Sequence, residues 1–478
     1  MPYDTTYGGS ACGGWEVDDQ GLPAFRYEGS TNPDCPDPGD VVHLVGNGAV
    51  SALAHSDGFV ELLTARTFYR VVNHHDEASR AFSGGFGWVR DGDRTWSTHF
   101  LDRPPASTVE RHFGMGYVRR KTTFEGLSVE ETVHAAPDEG EALIEQIRLV
   151  NDSSAPKDIR YFALWDVASW LLRFDSVVTR ASAYDPSTVE TEYDASAHAL
   201  LARSTATPGD PEVPSLTTDP APKTLFAVMD GAGPDRWDTL KSSFFGSGDR
   251  ALPEAVRAGH LTGSVDGSGT LRNQDATFAM ERSAHLGAGE SVSFTITYGV
   301  ADRGKEKDAI DAVRPDRAHP DPRAAFGDRI PRVEFPGSEW VTREMAWSTY
   351  YLLAGRLRED FFGARSVNQG SVYEYFWGAN AGPRAAYRHV LPLIYIEPEA
   401  AREVFVYAFR SMKDTGELAY ATSGYGGFQP FGLLPSDHSL WLLWAAAEYV
   451  NATRDRSLLT DSFDYFCEAG RGKCGAGT

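Results

Sequence analysis

Residues 373–384 concentrate aromatic rings, glycines, an amide and a guanidinium group in twelve positions. Tyr375 and Trp377 can offer flat apolar surfaces, and Arg384 can donate several hydrogen bonds. Sugar rings present apolar C–H faces surrounded by hydroxyl groups, so this mixture of residue types is what a saccharide site needs. A loop whose aromatic rings only seal the ends of helices would have the same composition, and the sequence leaves both interpretations open.

A second loop, 424–435, is rich in glycine and aromatic residues and leads directly into Ser436 and Asp437. Its glycines permit close approach of the backbone to a ligand, and Gln429 can line a pocket. Asp437 can accept hydrogen bonds, although a carboxylate favoured by the dipole of the next helix is a sufficient structural explanation. The candidate binding residues are therefore Tyr375, Trp377, Arg384, Gln429 and Asp437, and the sequence identifies no catalytic residue.

The other motifs that could carry chemistry give only weak support for a function. Residues 74–77 (HHDE) have the side chains of metal ligands, but adjacent residues diverge and rarely converge on one ion, which favours a solvated turn. Residues 114–116 (GMG) lack the third glycine of a dinucleotide fingerprint. The sequence contains neither a G-x-x-x-x-G-K-[ST] loop nor a G-x-S-x-G elbow, so it does not support nucleotide binding or serine-hydrolase chemistry.

The elements that precede these loops are predicted strands. From about residue 20 to residue 305 apolar and polar residues alternate, and turn-forming residues interrupt the pattern every ten or so positions. Residues 291–300 show one apolar and one polar face most clearly. Segments 143–150 and 159–167 are predicted to form a hairpin through 151–154. So many strands favour a large two-sheet sandwich.

Beyond residue 340 the spacing of apolar residues becomes helical. A charged, proline-rich stretch at 314–323 marks the predicted domain boundary. One helix is predicted to begin at Pro398 and to end at Gly416. Ser436 is the predicted N-cap of another helix over 440–452, which is apolar almost all round and is therefore expected to be buried between other helices.

The composition excludes several classes of function. The chain has 478 residues, of which 41% are hydrophobic and 12% aromatic, enough to build packed domains. Its formal net charge of -22 repels nucleic-acid phosphates and anionic lipids. The most apolar run, 440–447, is less than half the ~20 residues of a membrane-spanning helix. We therefore expect neither nucleic acid nor a membrane as a partner.

The cysteines and the amino terminus bear on the location of the protein. The amino terminus has neither the basic region nor the apolar stretch of a secretory signal. The cysteines form no C-x-x-C pair, so we expect free thiols and no structural zinc. These features predict a cytoplasmic protein. The cysteines are Cys12, Cys35, Cys467 and Cys474.

A series of segments, in order along the chain, resembles the cellobiose and chitobiose phosphorylase family, glycoside hydrolase family 94. Segment 110–117, ERHFGMGY, is similar to the E-R-x-F-G-x-G-Y of that family. The resemblance covers about residues 20–466. The other matching segments are HLVGNG (43–48), GGFGW (84–88), LVN (149–151), FALWDV (162–167), GSVY (370–373), LPLIYIEPE (391–399), PSD (435–437) and LWL (440–442).

The resemblance implies an architecture of β then α: an N-terminal β-supersandwich, galactose-mutarotase-like, followed by an incomplete (α/α)6 barrel. The expected boundaries are 20–311 for the supersandwich, 312–336 for a linker and 337–478 for the N-terminal part of the barrel. The reaction of the family is reversible phosphorolysis of a β-glycoside with inversion, in which a protonated carboxyl group donates to the leaving oxygen. The resemblance implies no metal or organic cofactor. The implied partners are a disaccharide or oligosaccharide and inorganic phosphate as co-substrate, and a homodimer is compatible with it.

The chain departs from the family in two ways. The family usually has Arg-Asp where this chain has Arg384 and Ala385, so a carboxylate that would accept from sugar hydroxyls is missing. Residues 340–478 suffice for four or five helices, whereas a closed barrel needs twelve. We therefore expect the catalytic acid beyond residue 478 and no turnover by this chain alone. An inverting glycoside hydrolase on the same scaffold and a carbohydrate-binding protein without catalysis are the alternatives.

Overall fold

The computed structural model describes residues 12–28, 41–67, 69–137, 140–172, 184–186, 188–205, 221–265, 271–314, 321, 323–368, 382–420, 435–467 and 472–477. The strands are β1 Gly13–Val17, β2 Pro23–Tyr27, β3 Val42–Gly46, β4 Val50–His55, β5 Val60–Thr64, β6 Arg70–Val71, β7 His75–Asp76, β8 Ala81–Phe82, β9 Gly84–Asp91, β10 Arg94–Ser97, β11 Thr108–Gly114, β12 Tyr117–Phe124, β13 Leu127–Ala135, β14 Ala142–Asn151, β15 Lys157–Asp166, β16 Trp170–Leu172, β17 Tyr184–Pro186, β18 Thr188–Asp194, β19 Ala199–Ser204, β20 Lys223–Met229, β21 Arg236–Leu240, β22 Leu271–Arg272, β23 Ala276–Leu286, β24 Ser291–Asp302, β25 Arg356–Glu359, β26 Ala364–Val367, β27 Phe463–Cys467 and β28 Gly472–Gly477. The helices are α1 Lys241–Phe245, α2 Glu254–Ala258, α3 Glu306–Val313, α4 Ala324–Gly327, α5 Glu339–Ala354, α6 Pro383–Ile396, α7 Pro398–Arg410 and α8 His438–Thr453.

Two large antiparallel sheets form the sandwich. The first has the strand order β1-β2-β11-β12-β13-β14-β24-β20-β19-β18-β22, and the second has the order β10-β9-β15-β23-β21. Their facing sides share one apolar core, which includes Phe294, Ile296 and Tyr298 of β24 and Tyr161 and Trp165 of β15. In β15 both faces are buried, because Phe162 and Leu164 on the opposite face pack in a second core. The predicted alternation is confirmed for β24. It arises because successive side chains of a strand point to opposite faces of the sheet.

The predicted hairpin between 143–150 and 159–167 is wrong. β14 pairs with β13 and β24 in the first sheet, whereas β15 pairs with β9 and β23 in the second. The connection therefore crosses from one sheet to the other. The Asn151 side chain holds this crossover, because its Nδ2 donates to the carbonyl oxygens of Ala155 at 2.7 Å and of Leu286 at 3.0 Å.

A polar network lies buried between the two sheets. Arg120 Nε donates to Glu131 Oε2 at 2.8 Å, and Glu131 also accepts from the Tyr161 hydroxyl at 2.6 Å. Glu145 on the neighbouring strand is fully buried and accepts from the Trp165 indole at 2.7 Å. Burial, and then the charge of Glu131, raises the pKa of Glu145 from 4.5 to about 8. Glu145 therefore carries a proton in the folded protein at neutral pH.

A third sheet joins the sandwich to the helices. Its strand order is β17-β16-β6-β5-β4-β3, and one of its faces contributes to the sandwich core. The other face, with Leu44 and Leu53, belongs to a core shared with α5, α6, α7 and α8. Tyr350 donates to the carbonyl oxygen of Leu44 at 2.6 Å, and a Cβ on Gly46 would lie 2.2 Å from the carbonyl oxygen of Ala354. The β part and the helical part are therefore packed directly against each other.

The predicted helices exist, with different ends. The first begins at Pro398 as predicted but ends at Arg410, well before Gly416. The second begins at His438, and the residue at its N-cap position is Asp437 rather than the predicted Ser436. Among the residues that the structure describes, neither N-cap side chain makes a capping hydrogen bond, so packing of the apolar faces stabilises these helices.

One face of α8 is exposed. Leu440, Leu443 and Trp444 are 70%, 68% and 54% accessible to solvent. The opposite face, with Leu442 and Ala445, packs into the core that the helices share with the third sheet. Within the described part of the chain this helix is therefore buried between other helices on one side only. Within that part no helix combines the length and the apolar character needed to cross a membrane.

Cys12, immediately before β1, is disulfide-bonded. The expectation of free thiols is therefore wrong for this residue. Because disulfides persist in oxidising compartments, this bond weighs against the predicted cytoplasmic location.

Candidate functional site

Two of the predicted site residues, Arg384 and Asp437, lie close together in the structure. Along the chain, the whole of α7 lies between them. Arg384 Nη2 lies 3.2 Å from Asp437 Oδ2. The Arg384 side chain is 57% exposed and the Asp437 side chain 30% exposed. The two residues therefore form an ion pair that a ligand can reach from solvent.

The directions of three helices place this pair. Arg384 is the second residue of α6 and Asp437 immediately precedes α8, so the N-termini of the two helices meet. Towards their other ends the Tyr395 hydroxyl donates to Glu448, and α6 and α8 therefore run parallel. α7 follows α6 after a single residue and returns the chain in the opposite direction. Pro383 favours the start of α6 at this point, because its fixed φ suits the first helical position.

The neighbours of the pair complete a hydrogen-bonding site. Asp437 Oδ2 also accepts from Trp441 Nε1 at 3.2 Å, and the Arg388 guanidinium lies 5.6 Å from the centre of the Trp441 ring. His438 is 4% exposed, and burial lowers its pKa, so its imidazole is neutral at pH 7. The site combines an accessible guanidinium donor with a carboxylate that has further lone pairs. These groups suit the recognition of hydroxyl groups.

Three of the predicted site residues, Tyr375, Trp377 and Gln429, lie outside the described residues. Their participation in the site stays a prediction. The loops that contain them lead into α6 and α8, whose first turns meet at the ion pair.

Two residues of the site, Arg388 and Trp441, were not predicted from the sequence. Each lies four positions after a predicted residue, Arg384 or Asp437, and side chains at this spacing are neighbours on a helix surface. The spacing is therefore a signal that could have identified both.

The described residues contain no group of three or more His, Cys, Asp or Glu side chains placed to hold a metal ion. Within 74–77, His74 Nδ1 lies 3.0 Å from Glu61 Oε1, and the backbone N–H of His75 donates to the same oxygen at 2.7 Å. Burial lowers the pKa of His75 to about 4. Both histidines thus contact Glu61 of β5 in the third sheet and do not lie in the predicted solvated turn.

A family model for the supersandwich domain of glycosyl hydrolase 94 matches residues 26–315, more than half of the chain. The chain belongs to the glycosyl hydrolase 94 family. The matched part of this family 94 chain ends before α4, so the Arg384–Asp437 pair lies outside it. No curated protein matches the family 94 chain.

Two solved structures are similar to this family 94 chain to different degrees. A protein assigned as a kojibiose phosphorylase, from the human microbiome, has a TM-score of 0.59 at 10% identity, over 94% of this chain and 58% of that protein. A family GH92 α-mannosidase from Bacteroides thetaiotaomicron has a TM-score of 0.40 at 10% identity, over 87% of this chain and 54% of the mannosidase. The chain thus spans less than two thirds of the length of either protein. At 10% identity, the similarity to the phosphorylase concerns the fold alone.

Proposed function

We propose that the chain binds a disaccharide or oligosaccharide at the Arg384–Asp437 pair and contributes this binding site to an inverting disaccharide phosphorylase. The observation that carries the proposal is the accessible ion pair where the N-termini of α6 and α8 meet. Adjacent hydroxyl groups of a sugar both accept and donate, and a guanidinium beside a carboxylate offers the complementary groups. Membership of a carbohydrate-active family supports the substrate class.

In the proposed reaction inorganic phosphate attacks the anomeric carbon of a β-glycoside on the face opposite the leaving oxygen. The bond to the leaving oxygen breaks, a protonated carboxyl group supplies the proton, and an α-sugar 1-phosphate forms with inversion. Asp437, which accepts from Arg384 and Trp441, suits the holding of hydroxyl groups better than proton donation. The proposal needs no metal and no organic cofactor.

We further propose that the helices are part of an (α/α)6 barrel whose catalytic acid lies beyond residue 478. The chain alone would then bind sugar without turnover. The exposed face of α8 supports this, because Leu440, Leu443 and Trp444 would pack against further barrel helices. A homodimer and a cytoplasmic location stay predictions, and the disulfide of Cys12 weighs against the second.

Binding without catalysis is the second candidate function, and Ala385 favours it. This residue follows Arg384 where the family usually has a carboxylate, so one acceptor of the sugar-holding loop is absent. An inverting hydrolase on the same scaffold would need a second carboxylate about 6.5–9.5 Å from the acid.

Substitution of the ion pair tests the proposed site. Loss of a charged hydrogen bond costs roughly 1.5–3 kcal/mol, so Arg384→Ala should weaken the binding of cellobiose or laminaribiose about 10- to 100-fold in calorimetric titrations. Arg332→Ala is the matched control, because Arg332 is exposed and has no ion-pair partner in the described residues. Equal affinities of Arg384→Ala and the parent would remove this pair from the site.

Product analysis with and without phosphate separates the three functions. Binding with no release of sugar supports the proposal for the chain alone. Phosphate-dependent release of α-glucose 1-phosphate would contradict the expected inactivity, and Asp437→Asn would then be the first variant to assay. Release of free sugar without phosphate would favour the hydrolase.

A further inference from the structure

A cavity of about 790 Å³ lies on the outer face of the eleven-stranded sheet, the face turned away from the sandwich core. Side chains of β11, β12, β13, β14 and β24 form its floor, and the end of β1 together with residues 321 and 323 forms one wall. Its volume is in the usual range for small-molecule sites. Neither Arg384 nor Asp437 lines it, so it is distinct from the site at the helix N-termini.

A row of polar side chains crosses the floor of this cavity. Arg119 is paired with Thr132, Thr132 with Gln146, and Gln146 with Thr295 on four adjacent strands. Strands lie about 4.8 Å apart, so the row extends about 14 Å. None of these side chains, nor that of Glu130 beside them, has a hydrogen-bond or ion-pair partner among the described residues. The row therefore offers both donors and acceptors to a ligand.

The opposite face of the same strands is arranged differently. There Arg120 donates to Glu131, and Glu131 accepts from Tyr161, so the polar groups satisfy one another. The outer face also contains deeply buried polar groups at the edge of the row. His112 is 5% exposed, its Nε2 lies 3.1 Å from Glu16 Oε2, and its Nδ1 has no hydrogen-bond partner within the described part of the chain.

The wall is built by two distant segments of the chain. Arg323 Nε donates to Asp321 at 2.8 Å, and the same guanidinium contacts Asp19 after β1. This guanidinium lies 5.6 Å from the centre of the Tyr117 ring, and the Tyr117 hydroxyl is 3.4 Å from Asp18 Oδ2. The segment that follows the sandwich is thereby held against the end of β1. The feature is an assembled cavity and not the open surface of a sheet.

The charges of the lining select a class of ligand. Among the described residues that line the cavity, five carboxylates outnumber two guanidinium groups, which disfavours phosphorylated or acidic ligands. Most of the side chains that line the cavity can form hydrogen bonds and few are apolar, which disfavours an apolar ligand. The carboxylates are Glu16, Asp18, Asp19, Glu130 and Asp321, and the guanidinium groups are Arg119 and Arg323.

We propose that this cavity is a second carbohydrate site, which binds a neutral disaccharide or trisaccharide along the row from Arg119 to Thr295. The hydroxyl groups of such a ligand can pair with the unpartnered donors and acceptors of the floor. The length of the row suits two or three linked sugar rings. This site does not depend on the proposed phosphorylase function.

Saturation-transfer NMR on the full chain tests the site, with cellobiose, cellotriose and maltotriose as probes. In the Arg384→Ala background, Thr132→Val with Gln146→Leu removes two polar groups from the floor and keeps strand-compatible shapes, and it should weaken the remaining binding at least tenfold. Ser293→Val is the matched control, because Ser293 lies on the same face of β24 outside the cavity. All variants are compared in the Arg384→Ala background, because cellobiose is also the ligand proposed for the Arg384–Asp437 site; binding that remains in this background belongs to the cavity, whether or not the proposed function holds.

Several results would overturn the inference. They are no saturation transfer from any of the three sugars, complete loss of binding in Arg384→Ala, and equal affinity of Arg384→Ala with and without the double substitution. Equally tight binding of α-glucose 1-phosphate would contradict the charge argument. If circular dichroism shows that the double variant is misfolded, Glu130→Gln replaces it, with weakened binding again expected.

Discussion

Replacement of Glu145 by glutamine should make the protein more stable at alkaline pH and change its stability little near pH 4.5. Glu145 is buried between the two sheets, where its only hydrogen bond is the one it accepts from Trp165 among the described residues. The folded protein raises its pKa from 4.5 to about 8, mainly through burial and then through the charge of Glu131. The folded state therefore binds the proton more tightly than the unfolded chain. The stabilising contribution is complete below pH 4.5 and is lost as the pH rises through about 8.

The magnitude follows from the two pKa values. Each tenfold difference in proton affinity corresponds to about 1.4 kcal/mol, so the parent should lose about 3 kcal/mol of its free energy of unfolding between pH 4.5 and pH 7 through this group alone. By about pH 9 the loss approaches roughly 5 kcal/mol, an upper bound because the buried site can relax. Glutamine does not titrate and can still accept from Trp165. The variant should therefore lack this part of the pH dependence.

Urea unfolding of parent and variant at a series of pH values measures the effect. The difference in free energy of unfolding should grow with pH in favour of Glu145→Gln. The exposed Glu190 on β18 provides the control variant Glu190→Gln, which should follow the pH profile of the parent. A pH-independent difference between Glu145→Gln and the parent would refute the argument, because it would mean that Glu145 ionises alike in both states.

Two further predictions concern the helices. Tyr350→Phe removes the hydrogen bond to the buried carbonyl oxygen of Leu44 and should lower the free energy of unfolding by about 1–2 kcal/mol in urea titrations; an unchanged midpoint would show that water replaces the hydroxyl. The double variant Leu443→Ser with Trp444→Ser should reduce binding of a hydrophobic dye and self-association in light scattering without loss of helix content, because both side chains are more than half exposed. Asn451→Ser on the same helix is the control, and equal dye binding by all three proteins would place the apolar surface elsewhere.

Local features of the fold could be predicted from the sequence. The alternation in 291–300 correctly separates the buried face of β24 from its outer face. The order of β part and α part, and the starts of α7 and α8 to within a residue or two, also agree with the structure. These features depend on the geometry of one strand or one helix, so a short segment contains the information that determines them.

The partners of the strands could not be predicted. β14 and β15 both present alternate side chains to the sandwich core, yet they belong to different sheets. A period of two indicates which face is buried, and it is the same whether the neighbouring strand is the next in sequence or a distant one. The outer face of β12, β13 and β14 likewise appears in the sequence as ordinary solvent-facing residues. This face becomes the floor of a cavity only because residues 321 and 323 dock against the end of β1 and form a wall beside it.

The sequence by itself determined the residue types of the candidate site and the class of fold around it. It identified Arg384 and Asp437 separately, through their loops, and the family resemblance of the sandwich. Only the tertiary structure decided that these two side chains pair, since their distance depends on the parallel arrangement of α6 and α8. The same holds for the disulfide of Cys12 and for the exposed face of α8. Strand and helix propensities are local free energies, whereas pairing and exposure are set by which distant faces pack together, and no short segment contains that information.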